Sequence, residues 1–310
     1  MCIGRSPFPE TILAVLAVSL ASAACGGSTS EGTPGAGADG GAPVADGSTS
    51  ADGAAAGCAL TAATTASAVT SATGCAILTR DTSACVDARR ALGIDGPWLA
   101  FSCRVTLSLE SGVVTAKSDN RPDYTSFYFD DSDACYEPFA SGVRNPNRIA
   151  TKSLSIAFPV TPSGAGTTMH GAAIVGMALN GVAIFGNFAA PGDDIFNEAM
   201  TFDRCAGHPQ MSGMYHYHSE PTSLTQDDAN LVGMMRDGSP VYGRKDADGT
   251  YPTLDEDGGH TGTTKESPTT PVYHYHVNEQ TSTGQRTAGE KQWFLTNGRF
   301  HATPAACPGC

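Results

Sequence analysis

Basic residues are scarce in this chain of 310 residues. Lys and Arg total 18 against 31 Asp and Glu, a formal charge of −13. So acidic a chain is repelled by phosphate backbones and anionic lipid surfaces, which excludes non-specific binding to either. Aromatic residues are almost absent from the first third. Of 12 Phe, 9 Tyr and 2 Trp, only Phe8 precedes Trp98. Histidine is lacking there too: His170 is the first of 8, and all the others fall between His208 and His301. No apolar run reaches the ~20 residues that a membrane-spanning helix needs. Also missing are His-Glu-x-x-His, Gly-x-Ser-x-Gly, a Walker loop and a dinucleotide fingerprint, so no standard catalytic signature is present. The material for a core and the ligands for chemistry both lie beyond Trp98.

What the N-terminal region does contain reads as export. Arg5 precedes the apolar run Thr11 to Leu20, then the small residues Ala21 to Ala24 and Cys25. A short basic region, a ten-residue apolar stretch and a small-residue cleavage site make a signal peptide over residues 1–24. Ser22-Ala-Ala-Cys25 has the form of a lipobox, with Ser22 where Leu is usual. Lipidation of Cys25 is the expectation, and ordinary cleavage the alternative. Residues 25–57 are nearly all Gly, Ala, Ser, Thr, Pro and Asp, with four acids and no base. Such a segment cannot bury enough apolar surface to offset chain entropy, so it is expected to be a disordered tether. The protein is thus expected in the bacterial cell envelope, touching a membrane through its lipid anchor only.

With Cys2 in the signal and Cys25 assigned to lipid, eight of the 10 cysteines remain. An even number in an oxidising compartment predicts disulfides, with connectivity open. Cys307-Pro-Gly-Cys310 has redox spacing but no βαβ unit around it, and reads as structural. Residues 58–102 form a cysteine-containing annex in which Ser83 to Leu92 is a helix, capped by Ser83 and stopped by Gly93. From 103 to 310 the pattern is β. Val105 to Leu109 and Leu154 to Phe158 alternate, and Asn180-Gly181 between apolar runs marks a hairpin over 177–185. A helix is predicted from Gln226 to Arg236 behind a Thr225 cap. The sum is a mainly β, disulfide-tied domain, a sandwich or barrel-like fold with a few short helices.

One pattern occurs twice. Gly207-His208 is followed by Tyr215-His216-Tyr217-His218, and Gly259-His260 by Tyr273-His274-Tyr275-His276. In an extended strand alternate side chains leave on opposite faces, so His216 and His218 point together and Tyr215 and Tyr217 point away. Imidazoles two rises apart, about 6.6 Å, can converge on one ion, and the single upstream histidine can complete a three-nitrogen face. The metal candidates are therefore His208, His216, His218, His260, His274 and His276. Imidazole suits copper or zinc as well as iron or nickel. Binding is expected to weaken below about pH 6.5, where free imidazole protonates. His170 and His301 lie outside the pattern and read as ordinary polar or core residues.

Asp203, Asp228, Asp237, Asp255 and Glu256 lie near the motifs. Asp255 and Glu256, just upstream of His260, are the best placed to orient a ligand histidine, with Tyr215, Tyr217, Tyr273 and Tyr275 flanking the ligands. Asp246-Ala-Asp248-Gly249 hints at a calcium loop closed by Asp255, but Arg244 stands where its first carboxylate should be. Phe129 to Asp133 is a second acidic run with the same weak reading.

Several motifs in one order, among them Phe202-Asp-Arg-Cys-Ala-Gly-His-Pro209, Gly213-Met-Tyr-His-Tyr-His218, Asp237-Gly-Ser-Pro-Val-Tyr-Gly243 and Leu254-Asp-Glu-Asp-Gly-Gly-His-Thr261, make Cys103 to Cys310 resemble the YHYH-domain family of exported bacterial proteins. The resemblance implies a domain type and no particular activity. It also implies a missing disulfide, because Ser223 and Asp257 stand where members often have Cys, which leaves Cys205 in need of another partner. Three functions stay open: a metal-binding envelope lipoprotein, a metal-dependent enzyme (a hydrolase or a copper oxidoreductase), and a structural or adhesive module without metal.

Overall fold

The computed structural model describes residues 68–70, 76–78, 83–169, 174–189 and 193–307. The leader, Cys25, the tether, Cys58, Cys75, His170 and Cys310 lie outside them. Strands β1 (Ala68–Thr70) and β2 (Ala76–Leu78) pair antiparallel. Helix α1 (Ser83–Ala91) follows, and Gly93 at φ +79° ends it as the sequence predicts. The helix is fastened twice to the segment after it. Cys85 is disulfide-bonded to Cys103, and the buried Arg89 guanidinium donates to the carbonyls of Phe101 (2.5 Å), Ser102 (2.9 Å) and Val105 (2.8 Å). A short 3-10 turn, Gly96–Ala100, then seats Trp98 in the core.

Strands β3 (Thr106–Glu110), β4 (Val113–Ser118) and β5 (Leu154–Pro159) form an antiparallel three-stranded sheet, two of them where alternation predicts strands. After β6 (Thr167–Thr168) come β7 (Ile174–Ala178), β8 (Ala183–Phe185), helix α2 (Ile195–Ala199), β9 (Gly207–Pro209) and β10 (Tyr215–Tyr217). The chain continues through β11 (Leu231–Met235), β12 (Pro240–Tyr242), β13 (Gly259–Gly262) and β14 (Val272–His276). It finishes with β15 (Asn278–Thr281), β16 (Lys291–Phe294) and β17 (Arg299–Phe300), β17 pairing back to β6.

The principal sheet has eight strands in the order β13-β14-β12-β11-β7-β8-β10-β9. That order is a duplication. Residues 174–186 align without a gap on 231–243, and the two histidine motifs follow each. Each copy is a hairpin (β7–β8 or β11–β12) whose second strand pairs parallel with the second strand of another hairpin (β9–β10 or β13–β14). Antiparallel β7 and β11 join the copies, and Met177 pairs with its own counterpart Met234, so a local two-fold axis passes between them. Even the irregularities repeat, with a register shift after Ile174 in one copy and after Leu231 in the other.

The sheet is buried on both faces. On one, Ile174, Met177, Phe185, Leu231, Met234 and Tyr242 pack against Leu107, Val114, Ile156 and Phe158 of the three-stranded sheet. On the other, Val175, Ile184, Val232, Tyr215, Tyr217 and Tyr275 pack against Tyr124, Tyr128, Phe129 and Phe300. The mainly β, sheet-on-sheet expectation therefore holds.

The helix predicted over 226–236 does not form. Leu231 to Met235 is a central strand, buried at every residue. A strand covered on both faces reads as a continuous apolar run, and such a run also satisfies helical spacing. The expected Thr225 cap instead donates to Asp228 (2.7 Å), whose carboxylate also takes the amides of Gln226 (3.1 Å) and Asn230 (2.8 Å) and winds a turn.

Candidate metal centres

The duplicated hairpins place the six motif histidines in two separate clusters. In the N-terminal copy, antiparallel pairing sets His208 opposite His216, and alternation along the extended chain adds His218. In the C-terminal copy, His260 lies opposite His274, with His276 beyond. Phe185, from the face that meets the three-stranded sheet, stacks on His216 at 3.8 Å, and its counterpart Tyr242 lies 5.3 Å from His274. Both clusters therefore sit on that face. Five interstrand steps separate β10 from β14, about 24 Å, so no ion is shared.

The N-terminal cluster is buried among aromatic rings. Nε2 of His216 lies 3.0 Å from Nε2 of His208 and 3.0 Å from Nε2 of His218. The other ring nitrogens fix the tautomers. Nδ1 of His216 donates to the Met214 carbonyl (3.1 Å), and Nδ1 of His218 to the Gly186 carbonyl (2.5 Å). Nδ1 of His208 lies 2.7 Å from the Thr201 hydroxyl, whose own proton goes to the Glu198 carbonyl at 2.7 Å. Thr201 thus accepts from His208. The carbonyl partners put the hydrogen of His216 and His218 on Nδ1, and Thr201 favours the same for His208, whose Nδ1 also lies 3.4 Å from the Asn145 amide nitrogen, so the three Nε2 atoms face one another. Ligands bound at 2.0–2.1 Å with angles of 90–110° lie about 2.9–3.4 Å apart, which is this spacing. Backbone and hydroxyl acceptors on the second nitrogen are what ligand histidines ordinarily have.

Burial disfavours the charged form and lowers all three pKa values, His208 to about 3, His218 to about 4 and His216 well below its ordinary value. Proton competition therefore begins at more acid pH than the 6.5 of free imidazole.

The C-terminal cluster has the same plan and one more ligand. Nδ1 of His274 donates to the Val272 carbonyl (2.9 Å), and Nδ1 of His276 to the Gly243 carbonyl (2.7 Å), Gly243 being the counterpart of Gly186. Oδ1 of Asp246 lies 3.0 Å from Nε2 of His260 and 3.4 Å from Nε2 of both His274 and His276. Nε2 of His276 is buried with no hydrogen-bond partner. Burial lowers His274 and takes His276 to about 4.

The residue that completes this cluster belongs to the stretch whose spacing suggests calcium. The nearby Asp248 accepts from Thr250 in a turn. In the other acidic run, Asp131 and Asp133 pair with Arg148 and Arg121.

The stretch Ser155 to Pro252, which holds the whole N-terminal cluster and Asp246, matches the YHYH protein family. The likeness to that family is a match over residues 155–252. The match stops before His260, so the second histidine copy lies outside it, and the matched region is narrower than the resemblance over Cys103 to Cys310. No curated protein and no solved structure matches the chain.

The flanking tyrosines lie across the sheet from the histidines. Tyr215 donates to Asp203 (2.7 Å) and meets Tyr124 (2.8 Å), which also meets Tyr217 (2.8 Å). Burial raises Asp203 to about 6. In the other copy Tyr275 donates to Asp237 (2.5 Å) and Tyr273 to Asp255 (3.1 Å). Asp255 is thus the counterpart of Asp203: each accepts from a motif tyrosine and from the amide of the glycine before the first histidine. Glu256 is exposed beside Arg299 (3.4 Å).

Among the described residues, the carboxylates placed at the imidazoles are Asp246 and, in the N-terminal copy, Glu198. Oε2 of Glu198 lies 3.6 Å from His218 and 3.8 Å from His208. The sequence reading missed Glu198 because α2 falls in an irregular connection. Its signal was local, Asp194 capping the amide of Phe196 (3.0 Å) just ahead of the glutamate. Asp255, Asp257 and His301 form a further group, but Arg299 already holds Asp257 at 2.7 Å. Cys205, Cys135 and Cys307 are each disulfide-bonded, so Cys205 does have a partner.

Proposed function

We propose that this chain is an envelope lipoprotein that binds two transition-metal ions, copper or zinc, one in each copy of the duplicated sheet. One observation carries the reading: the Nε2 atoms of three buried histidines converge, His216 lying 3.0 Å from both His208 and His218, while each Nδ1 has a partner elsewhere. Neutral imidazoles so arranged repel one another unless a cation takes the lone pairs. The C-terminal cluster repeats the plan with Asp246 added. Imidazole with at most one carboxylate suits copper and zinc better than calcium, which takes oxygen ligands. Two clusters in one chain favour capture and holding of ions over a single reaction centre. The leader, the lipobox form around Cys25 and the acidic tether support the envelope location, and the Cys85–Cys103 disulfide suits an oxidising compartment.

Metal analysis of the full chain tests this. The expectation is two ions per chain, falling to one in His216→Ala/His218→Ala and to one in His274→Ala/His276→Ala. Unchanged stoichiometry in both variants removes the proposed sites. A metal-free protein whose melting ignores chelator favours the structural module instead.

A further inference from the structure

The two clusters differ in how deeply they are enclosed. In the N-terminal copy the side chains of His208 and His218 are 6% and 2% exposed, His216 is as deeply buried, and the rings of Phe185 and Phe202 wall them in. In the C-terminal copy His274 and His276 are equally buried, but the side chain of His260 is 23% and that of Asp246 20% exposed. A cleft lined by Lys245, Asp246, Thr264, Lys265, His274 and His276 leads to that cluster. It is too tight for a water molecule, so an ion passes only if a wall moves. Asp246 is the wall that can move. His260 lies on β13, and His274 and His276 on β14, whereas Asp246 stands in the connection after β12. A turn holds it there: its amide donates to the Thr250 carbonyl (2.9 Å), and the Gly249 amide donates to its own carbonyl (2.9 Å).

Resting on the two-ion reading above, we infer that the protein exchanges its C-terminal ion with small anionic chelates at this cleft, while the N-terminal ion is locked in the fold. Charge at the mouth sets the class of chelate. Lys245 and Lys265 flank the cleft, in a chain whose formal charge is −13. Lys245 is paired with Asp227 (3.0 Å), whereas the exposed Lys265 meets only the neutral amide oxygen of Asn230 (3.2 Å). The neighbouring Glu266 is taken up by the Tyr242 hydroxyl (2.7 Å). A chelate bearing carboxylates therefore meets an attractive positive charge at the cleft, on a molecule that elsewhere repels it. Its carboxylate replaces that of Asp246 on the ion, one ionised oxygen ligand for another, and no electron or proton changes hands. The N-terminal ion has no such exposed ligand to exchange, so its release waits for local opening of the fold.

Zinc release from the full chain, produced in zinc-supplemented medium and then mixed with excess EDTA, tests this. Zinc that stays with the protein is counted at successive times. Wild type is expected to start with two ions, of which one leaves early and the other an order of magnitude or more later. His216→Ala/His218→Ala keeps only the early ion, and His274→Ala/His276→Ala only the late one. Lys265→Gln slows the early release to anionic EDTA severalfold and leaves release to the uncharged chelator phenanthroline at the wild-type rate. Lys265 is exposed, so the fold tolerates that change. Fewer than two ions in wild type at the start overturns the two-ion reading itself. Two ions leaving together, a late ion that belongs to the C-terminal cluster, or release to EDTA unmoved in Lys265→Gln overturns the exchange proposal alone.

Discussion

Thr201 decides which nitrogen of His208 faces its neighbours. Its hydroxyl proton is committed to the Glu198 carbonyl, so its oxygen accepts from Nδ1 and leaves the Nε2 lone pair for the cluster. Backbone carbonyls do the same for His216 and His218, and no side-chain substitution removes those. Thr201→Val therefore isolates the effect: it keeps the side-chain shape and deletes the acceptor. Loss of such a partner ordinarily costs about 10- to 100-fold in metal affinity, and that drop is expected at the N-terminal site alone. Competition against a chromophoric chelator measures it, with the C-terminal site as the internal control. Equal affinities in Thr201→Val and wild type would show that the tautomer is set by something else.

At the level of elements, β7 and β11 carry the duplication, and glycine lets them meet. Gly176 and Gly233 are counterparts, each at the register shift of its own hairpin. A Cβ on Gly233 would lie 2.3 Å from the Met177 carbonyl oxygen and 2.8 Å from Cα of Ala178, both backbone atoms that cannot swing aside. Gly233→Ala is accordingly expected to cost about 1–3 kcal/mol as overpacking, read as a lower urea midpoint. An unchanged midpoint would mean that the strands can separate freely at the two-fold axis. The same strand explains why a helix is predicted at 226–236. Its glycine and its unbroken apolar run make sense only with β7 on one side and β12 on the other, information that the local sequence does not hold.

Over the whole molecule, buried imidazoles set the response to acid. In the unfolded chain they titrate near 6.5. In the fold His208 is held at about 3 and His218 and His276 at about 4, with His216 and His274 also lowered, all chiefly by burial. Between those limits the unfolded chain takes up protons that the fold refuses. Stability fully present above pH 6.5 is therefore lost as pH falls. Asp203 acts in the opposite sense. Raised to about 6, it favours the fold at low pH and loses that contribution as pH rises through 6, and Asp237 and Glu220 share its direction. Five imidazoles outweigh three carboxyls. The denaturation midpoint of chelator-treated protein is expected to fall between pH 7 and pH 5, and a midpoint that holds or rises would contradict the burial of the clusters.

Local chemistry settled much of this protein in advance. Alternation placed His216 and His218 on one face and the tyrosines on the other, because side chains of an extended strand leave on opposite sides whatever surrounds them. Asn180-Gly181 gave its turn for an equally local reason, Gly181 adopting φ +87°. The two copies of the histidine pattern were visible as text. Tertiary structure alone decided the rest. It separated the copies into two clusters, because five interstrand steps lie between them. It turned Asp255 toward Tyr273 and brought Asp246 and Glu198 to the imidazoles, because a carboxylate's partner depends on how a connection folds back over the sheet. Distance along the chain carries no record of that return path, so the acids nearest the motifs in sequence were not those nearest in space.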